Sequence, residues 1–242
     1  MEKIKVKSGV LLSANDVPEV KKAKLLGVFM AIYSVFVVVQ NLFEMKTLGT
    51  PAFAFAGGGI ILSWATFMIT DITTELFGKK DTIKLYTIAG ILNLFIVLVA
   101  QIVIAIPGVY EEQNIAFAQI FSNGIRTALA SFTAFWFGNY INVYIMDKLR
   151  NRAAAKNKES AKGLLFFRAV LSTVFGQFID NMLFATLAFA PVGISLFETS
   201  WTAILTTSLF GTCMESLIES VFVPFITIPV ATKIQNKLNS LV

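Results

Sequence analysis

The sequence predicts an all-α membrane protein, a bundle of six transmembrane helices with both termini in the cytoplasm. Hydrophobic residues make up 56% of the 242 residues and charged residues 14%, whereas charged residues make up about 25% of an average soluble chain. A spanning helix needs about 20 mostly apolar residues, and six stretches approach that length. In chain order, spans 1 to 6 cover residues 25–43, 54–76, 85–106, 127–146, 164–190 and 202–230.

The basic residues predict the orientation of these spans, because lysines and arginines close to span ends mark the cytoplasmic side. They cluster before span 1, between spans 2 and 3, between spans 4 and 5, and after span 6. The clusters include Lys21, Lys22, Lys24, Lys79, Lys80, Lys84, Lys148, Arg150, Arg152, Lys233 and Lys237. The opposite connections carry Glu44, Glu111, Glu112 and Glu198 against Lys46 and Arg126. Even-numbered connections therefore lie inside.

Span 1 is interpreted as a permanent helix and not as a cleaved signal peptide. Its 24 preceding residues carry six lysines, and no small-residue cleavage pattern follows it. We expect a basic cytoplasmic tail over residues 1–24, one six-helix domain over 25–232 and a cytoplasmic tail over 233–242.

Two further sequence features lie in the longest outer connection and in spans 4 and 5. The longest outer connection, 107–126, contains IAFAQIF, which is typical of a short amphipathic turn in the membrane interface. Spans 4 and 5 share a weak echo, GNYIN at 138–142 and GQFID at 176–180. The echo is either a chance match or a trace of the internal repeats from which transporters are often built.

Composition also excludes several kinds of site. The net charge of +5 is explained by the basic clusters at span ends, so no nucleic-acid partner is expected. Cys213 is the single cysteine and there is no histidine. An intramolecular disulfide is therefore impossible, the usual zinc and haem sites are excluded, and we expect neither a metal nor a cofactor.

Ionisable and amide side chains lie inside the predicted spans, where a charge costs about 2.5–3.5 kcal/mol at the centre of a helix. They are Asp71, Glu75, Arg168, Gln177, Asp180, Asn181, Glu215 and Glu219. Ion pairing with Arg126, Arg168 and Lys46 could explain each acid singly, but there are five acids for three bases. A polar cavity for a solute explains the set better.

Aromatic residues lie beside these polar positions. Trp64, Phe67 and Trp136 are candidates, although most phenylalanines in such helices face lipid or pack in the bundle. A flat heteroaromatic solute would stack on a few of them, because stacking is worth about 1–3 kcal/mol per base.

Three segments carry a resemblance to a known family: NLFEMK at 41–46, TFMITDITTELFGKK at 66–80 and RAVLSTVFGQFIDNMLFATLAF at 168–189. They resemble the queuosine precursor transporters, a group also classed as vitamin uptake transporters. The resemblance implies import of 7-deazaguanine bases, such as preQ0, preQ1 or queuine, for tRNA modification, by a multi-pass protein of the bacterial inner membrane. It also implies a fold akin to the substrate-binding subunits of energy-coupling-factor importers.

The resemblance implies a set of site residues as well. Carried over by position, the family's polar signature falls on Asn41, Lys46, Asp71, Glu75, Arg126, Arg168, Ser172, Gln177, Asp180 and Glu219. Two places depart from the family. Gly138, Asn139 and Asn142 stand where the family usually has Ser-Gln and an aspartate, and Glu215 stands where it usually has a lysine. The extra acid favours a more cationic or larger ligand, such as the amine-bearing queuine.

These observations lead to a mechanism with stated rivals. We expect a cavity between spans 2, 4, 5 and 6, where Asp71, Glu75 or Asp180 accepts hydrogen bonds from the base. In that cavity Gln177 and Asn181 would pair with its carbonyl and ring nitrogens, and Trp64 or Phe67 would stack on it.

The chain has no G-x-x-x-x-G-K-[ST] loop. An ion gradient, metabolic trapping or a separate ATPase must therefore drive uptake. The alternative is a substrate-binding subunit of an energy-coupling-factor vitamin importer with ATPase partners. An enzyme is not expected, because the residues offer few catalytic groups. The lipid bilayer and a small 7-deazapurine are the expected partners, and a homo-oligomer is left open.

Overall fold

Helices dominate the protein. The computed structural model describes residues 3–5, 11–13, 18–44, 46–50, 53–121, 125–155, 162–189 and 200–239. The helices in this part are α1 Pro18–Glu44, α2 Ile60–Phe77, α3 Lys79–Ala105, α4 Glu111–Phe121, α5 Ile125–Ala154, α6 Lys162–Phe189, α7 Trp201–Phe222 and α8 Ile228–Asn239. A π-helical segment, Val223–Thr227, joins α7 to α8.

Two short antiparallel hairpins accompany the helices. The first pairs β1 Lys3–Lys5 with β2 Leu11–Ser13, and the second pairs β3 Thr47–Thr50 with β4 Phe53–Gly57.

Five helical stretches of the described chain are long and apolar enough to cross a membrane. They are Val20–Glu44, Ile60–Phe77, Lys79–Ala105, Leu164–Ala188 and Ile204–Ile234. The predicted class, an all-α membrane protein, is therefore confirmed. Predicted span 4 lies inside α5, which is 30 residues long but carries Asn139 and Asn142 in its middle. These asparagines lower its hydropathy relative to the five stretches.

Several helix boundaries differ from the sequence-based expectation. Helix α1 begins at Pro18 and α8 ends at Asn239, inside the two segments that were expected to be tails. Span 2 was expected from residue 54, but α2 begins at Ile60 and residues 53–57 form β4. The run Gly57–Gly59 explains the difference, because glycine weakens a helix interior and permits a sharp change of direction. The stretch expected to be an amphipathic turn is helix α4.

The bundle has a basic end, where α2 meets α3 and where α5 ends near Arg150 and Arg152. Gly78 alone separates α2 from α3, and its φ of 86° is a backbone conformation that favours glycine. Arg150 Nη1 donates to the main-chain oxygen of Thr74 at 3.5 Å, which ties α5 to α2 there. Glu44 and α4 lie at the opposite end.

Helices α5 and α6 cross at two glycines, the first residues of the two echoed segments. A Cβ on Gly138 would lie 2.7 Å from the Cβ of Asp180 and 2.9 Å from the main-chain oxygen of Gly176. A Cβ on Gly176 would lie 2.8 Å from the Cβ of Asn142 and 3.0 Å from the oxygen of Gly138. The first residue of each segment thus packs on the last residue of the other. The crossing brings Asn142 and Asp180 into the interior.

Candidate functional site

A cavity of about 180 Å³ lies in the half of the bundle away from the basic end. Its polar lining residues are Gln40, Asn41, Glu44, Asn93, Ser131, Asp180, Asn181 and Glu215. Its aromatic lining residues are Phe121, Phe132, Phe135 and Phe184. Helices α1, α3, α4, α5, α6 and α7 all contribute, whereas none of these lining residues comes from α2. The expected cavity between spans 2, 4, 5 and 6 therefore differs from the observed one.

The last turn of α1 supplies one wall of the cavity. Glu44 Oε2 accepts a hydrogen bond from the backbone nitrogen of Gly59 at 3.2 Å. A Cβ on Gly58 would lie 2.5 Å from the main-chain oxygen of Phe43, and a Cβ on Gly59 would lie 2.8 Å from that of Gln40, so only glycine lets the backbone approach α1 so closely. Gln40 Oε1 accepts from Thr66 Oγ1 at 3.3 Å. The glycine run thus positions the Glu44 carboxylate at the cavity.

Helices α6 and α7 supply the opposite wall. Asn181 Nδ2 donates to Glu215 Oε2 at 3.0 Å and to Thr212 Oγ1 at 3.3 Å. Ser208 Oγ donates to the main-chain oxygen of Asn181 at 3.2 Å. Three carboxylates line the cavity, those of Glu44, Asp180 and Glu215, and its lining residues include no lysine or arginine. This environment favours a solute that is rich in hydrogen-bond donors or carries a positive charge.

A second polar group lies nearer the basic end, and we call it the inner cluster. It comprises Asp71, Glu75, Asn142, Arg168, Gln177 and Glu219. Arg168 Nη2 lies 3.0 Å from Glu75 Oε1, and Asn142 Nδ2 donates to Asp71 Oδ1 at 3.2 Å. Apart from Glu75, every member is at most 3% exposed. This cluster is therefore a polar core within an apolar bundle.

Several atoms of the inner cluster have no hydrogen-bond partner within the described chain. They are Asp71 Oδ2, Asn142 Oδ1, Gln177 Nε2, Glu219 Oε2, Arg168 Nε and Arg168 Nη1. An unsatisfied buried polar group costs about 1–3 kcal/mol, so a fold that retains several of them sacrifices stability. Such a cost is typical of functional sites and not of packing.

Three hydrogen-bonded rungs between α6 and α7 connect the inner cluster to the cavity. Thr173 Oγ1 donates to Glu219 Oε1 at 2.8 Å. About one turn further on, Ser216 Oγ donates to Gln177 Oε1 at 2.9 Å. The third rung is the Asn181 to Glu215 bond at 3.0 Å. The two polar groups therefore form one column along the α6–α7 interface.

The predicted site residues divide between these two places. Asn41, Asp180, Asn181 and Glu215 line the cavity. Asp71, Glu75, Arg168, Gln177 and Glu219 form the inner cluster with Asn142. Ser172, beside it on α6, is buried and donates to the main-chain oxygen of Ala169 at 3.0 Å.

Of the four other predicted residues, Trp64, Phe67 and Lys46 lie in neither place. The Trp64 ring stacks on Phe222 at 4.0 Å between centroids, and its Nε1 donates to the oxygen of Ile61. Phe67 is buried on α2. Lys46 is exposed beyond the end of α1. Arg126 belongs to the first turn of α5, and its side chain lies outside the described residues.

Sequence reasoning missed part of the cavity. Gln40 and Glu44 lie four residues apart and share a face of α1 with Asn41 close by, a spacing that could have revealed a polar wall. Asn93 is one of only two amides, with Gln101, in the very apolar span 3, which is also a signal. Phe132, Phe135 and Phe184 had no such signal, because they resemble the lipid-facing phenylalanines.

The family follows from the sequence of the region that begins just before α2 and ends in the last part of the bundle. Residues 57–228, more than half of the chain, match the family described as "Putative vitamin uptake transporter". The chain belongs to this family. No curated protein and no solved structure matches it. The family and the apolar helices together make the protein a multi-pass membrane transporter, and the resemblance noted from the sequence agrees with that assignment.

The match shows which parts of this vitamin uptake transporter lie in the family region. Every residue of the inner cluster falls within residues 57–228, as do Asp180, Asn181 and Glu215. Gln40, Asn41 and Glu44 of the α1 wall precede it. The column between α6 and α7 is thus part of the family region, whereas the α1 wall lies outside the match.

Proposed function

We propose that the protein imports 7-deazaguanine bases, such as preQ0, preQ1 or queuine, across the bacterial inner membrane for queuosine synthesis in tRNA. The cavity carries this proposal. Its volume of about 180 Å³ slightly exceeds that of a cavity of about 150 Å³ that binds benzene. The flat two-ring system that these bases share suits such a volume.

The lining chemistry also suits this class of base. The aminopyrimidone edge of a 7-deazaguanine offers adjacent N–H donors, which a carboxylate accepts as a bidentate pair. Asp180 and Glu215 supply carboxylates, and Asn93 supplies an amide N–H for the carbonyl edge. The Asn181 amide N–H groups are already donated to Glu215 and Thr212. The phenylalanine rings pack on the faces of the base. A purine without the matching donors leaves buried acceptors unpaired, at about 1–3 kcal/mol each.

The proposal includes six spans, with α5 as the span additional to the five apolar stretches. The basic end then faces the cytoplasm, following the distribution of lysines and arginines. Both termini are cytoplasmic, and the cavity lies in the outer half of the membrane. Deazapurines enter from the outside.

A transporter that works alone and an importer that needs partner subunits differ in the energy source that drives uptake. The sequence lacks a nucleotide-binding G-x-x-x-x-G-K-[ST] loop, so an ion gradient or trapping by tRNA modification drives uptake. The alternative is a substrate-binding subunit of an energy-coupling-factor vitamin importer, with a six-helix fold of that kind and a separate ATPase module.

The test is the queuosine content of tRNA in a bacterial host that can neither make nor import the precursors. We expect the protein, expressed alone, to restore queuosine when preQ0, preQ1 or queuine is supplied. Asp180→Asn removes one carboxylate from the cavity. Loss of a charged hydrogen-bond partner costs about 1.5–3 kcal/mol, so uptake at low substrate concentration should fall about 10- to 100-fold.

Glu112→Gln is the matched control, because it also neutralises a carboxylate but lies exposed on α4. It should restore queuosine as the wild type does. Absence of queuosine with each base, despite correct membrane insertion, contradicts the proposal. Restoration only when an ATPase module is co-expressed favours the alternative.

A further inference from the structure

The inner cluster contains more buried acid than buried base. Asp71 and Glu219 are each 1% exposed, and their charges act on each other. The arginine of the cluster, Arg168, lies 3.0 Å from Glu75 and acts on Asp71 only at longer range. Asp71 and Glu219 are therefore two neighbouring carboxylates without a salt bridge in the described structure. A low-dielectric interior does not hold two such charges without a compensating positive charge.

The unpartnered acceptors of the cluster are all oxygens, and they come from three helices. They are Asp71 Oδ2 on α2, Asn142 Oδ1 on α5 and Glu219 Oε2 on α7. Carboxylate and amide oxygens are the ligands that hard cations prefer. Asn142 Nδ2 donates to the other oxygen of Asp71 at 3.2 Å, so the amide and the carboxylate lie side by side.

A group that binds between these oxygens of the inner cluster must be small. None of the residues that line the cavity belongs to the inner cluster, so the space for a flat solute lies elsewhere on the column. A proton or a Na⁺ ion needs little room and supplies the missing positive charge. A buried acid pair beside a separate solute cavity is an arrangement typical of coupled transporters.

We propose that Asp71, Glu219 and Asn142 form the binding site of a monovalent cation, a proton or Na⁺, which drives solute uptake through the cavity. This inference rests on the proposed transport function. The three rungs between α6 and α7 carry the coupling. Glu219, which holds the cation, bonds to Thr173. Four residues earlier on α7, Glu215 bonds to Asn181 at the cavity. A change at the cation site therefore acts on the same helix pair that holds the solute.

The charged groups that act on Asp71 and Glu219 are Glu75 on α2, Arg168 on α6 and Glu215 on α7. The positive charge of Arg168 should weaken cation binding by repulsion, whereas the carboxylates of Glu75 and Glu215 should strengthen it. The net surplus of acid makes the site attractive to a cation in both cases, proton or Na⁺.

The experiment uses the full chain reconstituted in proteoliposomes with radiolabelled preQ1. One arm imposes an inward Na⁺ gradient at equal pH, a second imposes an inward proton gradient without Na⁺, and a third measures exchange of preQ1 without a gradient. With one-to-one coupling, a tenfold cation gradient supports about a tenfold solute accumulation. We expect accumulation in one of the two gradient arms, which identifies the cation.

The variant Asp71→Asn/Glu219→Gln should reduce that accumulation to the level without a gradient, whereas Glu112→Gln should keep it. Exchange by the wild type without accumulation in either gradient arm overturns the cation site and leaves the transport function standing. Accumulation that persists in the double variant overturns it as well. Absence of exchange in the wild type contradicts the proposed function itself. The wild-type arms decide the proposal even where the double variant does not fold.

Discussion

At the residue scale, amide side chains orient the buried carboxylates of this transporter. Asn181 donates to Glu215 at 3.0 Å, and Asn142 donates to Asp71 at 3.2 Å. An amide fixes the position of a carboxylate without neutralising its charge, whereas a lysine or arginine would do both. The cavity therefore holds carboxyl groups in defined places, with no lysine or arginine among its lining residues.

The charge of Glu215 leads to a prediction about substrate choice. Glu215→Gln keeps the size of the side chain and an oxygen that Asn181 can bond, but removes the negative charge. Uptake of the amine-bearing bases preQ1 and queuine should then fall about 10- to 100-fold, because an ionic hydrogen bond is worth about 1.5–3 kcal/mol. Uptake of the neutral cyano base preQ0 should change much less.

The measurement is the half-saturating concentration of each base for uptake into cells. Glu111→Gln, an exposed acid on α4, serves as the control and should leave all values unchanged. Equal values for Glu215→Gln and the wild type, with cyano and amine-bearing bases alike, would show that Glu215 does not select for a cation.

At the scale of single elements, the crossing of α5 and α6 holds the column together. Gly138 and Gly176 face the last residue of each other's segment, so the echo GNYIN and GQFID describes one reciprocal contact. Small residues allow membrane helices to approach closely without a hydrophobic driving force. If the echo is only a chance match, it does not explain why each glycine contacts the last residue of the other segment.

Substitution of either glycine tests the crossing. In Gly138→Ala and in Gly176→Ala, the added methyl group would meet main-chain oxygen and Cβ atoms at 2.7–3.0 Å, and backbone cannot rotate away. Overpacking of this kind costs about 1–3 kcal/mol. Each variant should unfold at a lower temperature than the wild type in detergent micelles, as followed by tryptophan fluorescence.

The control for this experiment is Gly27→Ala on α1, where an added Cβ meets nothing within 4 Å. Alanine is the better helix former by about 1 kcal/mol, so this variant should unfold no earlier than the wild type. If Gly138→Ala and Gly176→Ala behave like Gly27→Ala, the helices do not cross as closely as the structure has them.

Sequence reasoning located individual elements better than it located the cavity. Hydropathy identifies a lipid-facing helix such as α3, because side chains that contact lipid are apolar. It also found the acids of α2, α6 and α7. It could not place Asp71 and Asp180 in different sites, because that depends on how the helices cross. Residues 53–57 form β4 and not the start of a helix, and Glu44 contacts Gly59 as a result. Hydrophobic periodicity does not reveal such a contact between two elements.

At the scale of the whole molecule, the class could be predicted and the partition of its polar residues could not. Five acids within apolar spans predicted a polar interior, but sequence reasoning assigned them all to a single cavity. The structure divides the acids between an outer cavity and the inner cluster, joined by the rungs of α6 and α7. Such a division permits a solute and a cation to bind at the same time, which a single acidic pocket would prevent by competition.

The number of spans is the remaining question at this scale, and α5 decides it. Glu112 lies on α4 before α5, and Arg152 lies in the last turn of α5. If α5 crosses the membrane, these two positions face opposite sides; if it does not, they face the same side. The proposed orientation places Glu112 outside and Arg152 in the cytoplasm, because the arginines at the end of α5 belong to the basic end.

Cysteine labelling in intact cells measures this directly. In a Cys213→Ser background, a membrane-impermeant maleimide should label Glu112→Cys in intact cells and Arg152→Cys only after the membrane is permeabilised. Both positions are exposed, so neither result depends on access within the bundle, and retained uptake by each variant controls for folding. Labelling of both positions from the outside would leave α5 as a helix that does not cross. The polar column along α6 and α7, on which α5 packs at Gly138 and Gly176, would then lie at the edge of the membrane domain, where water and not a transport path satisfies its side chains.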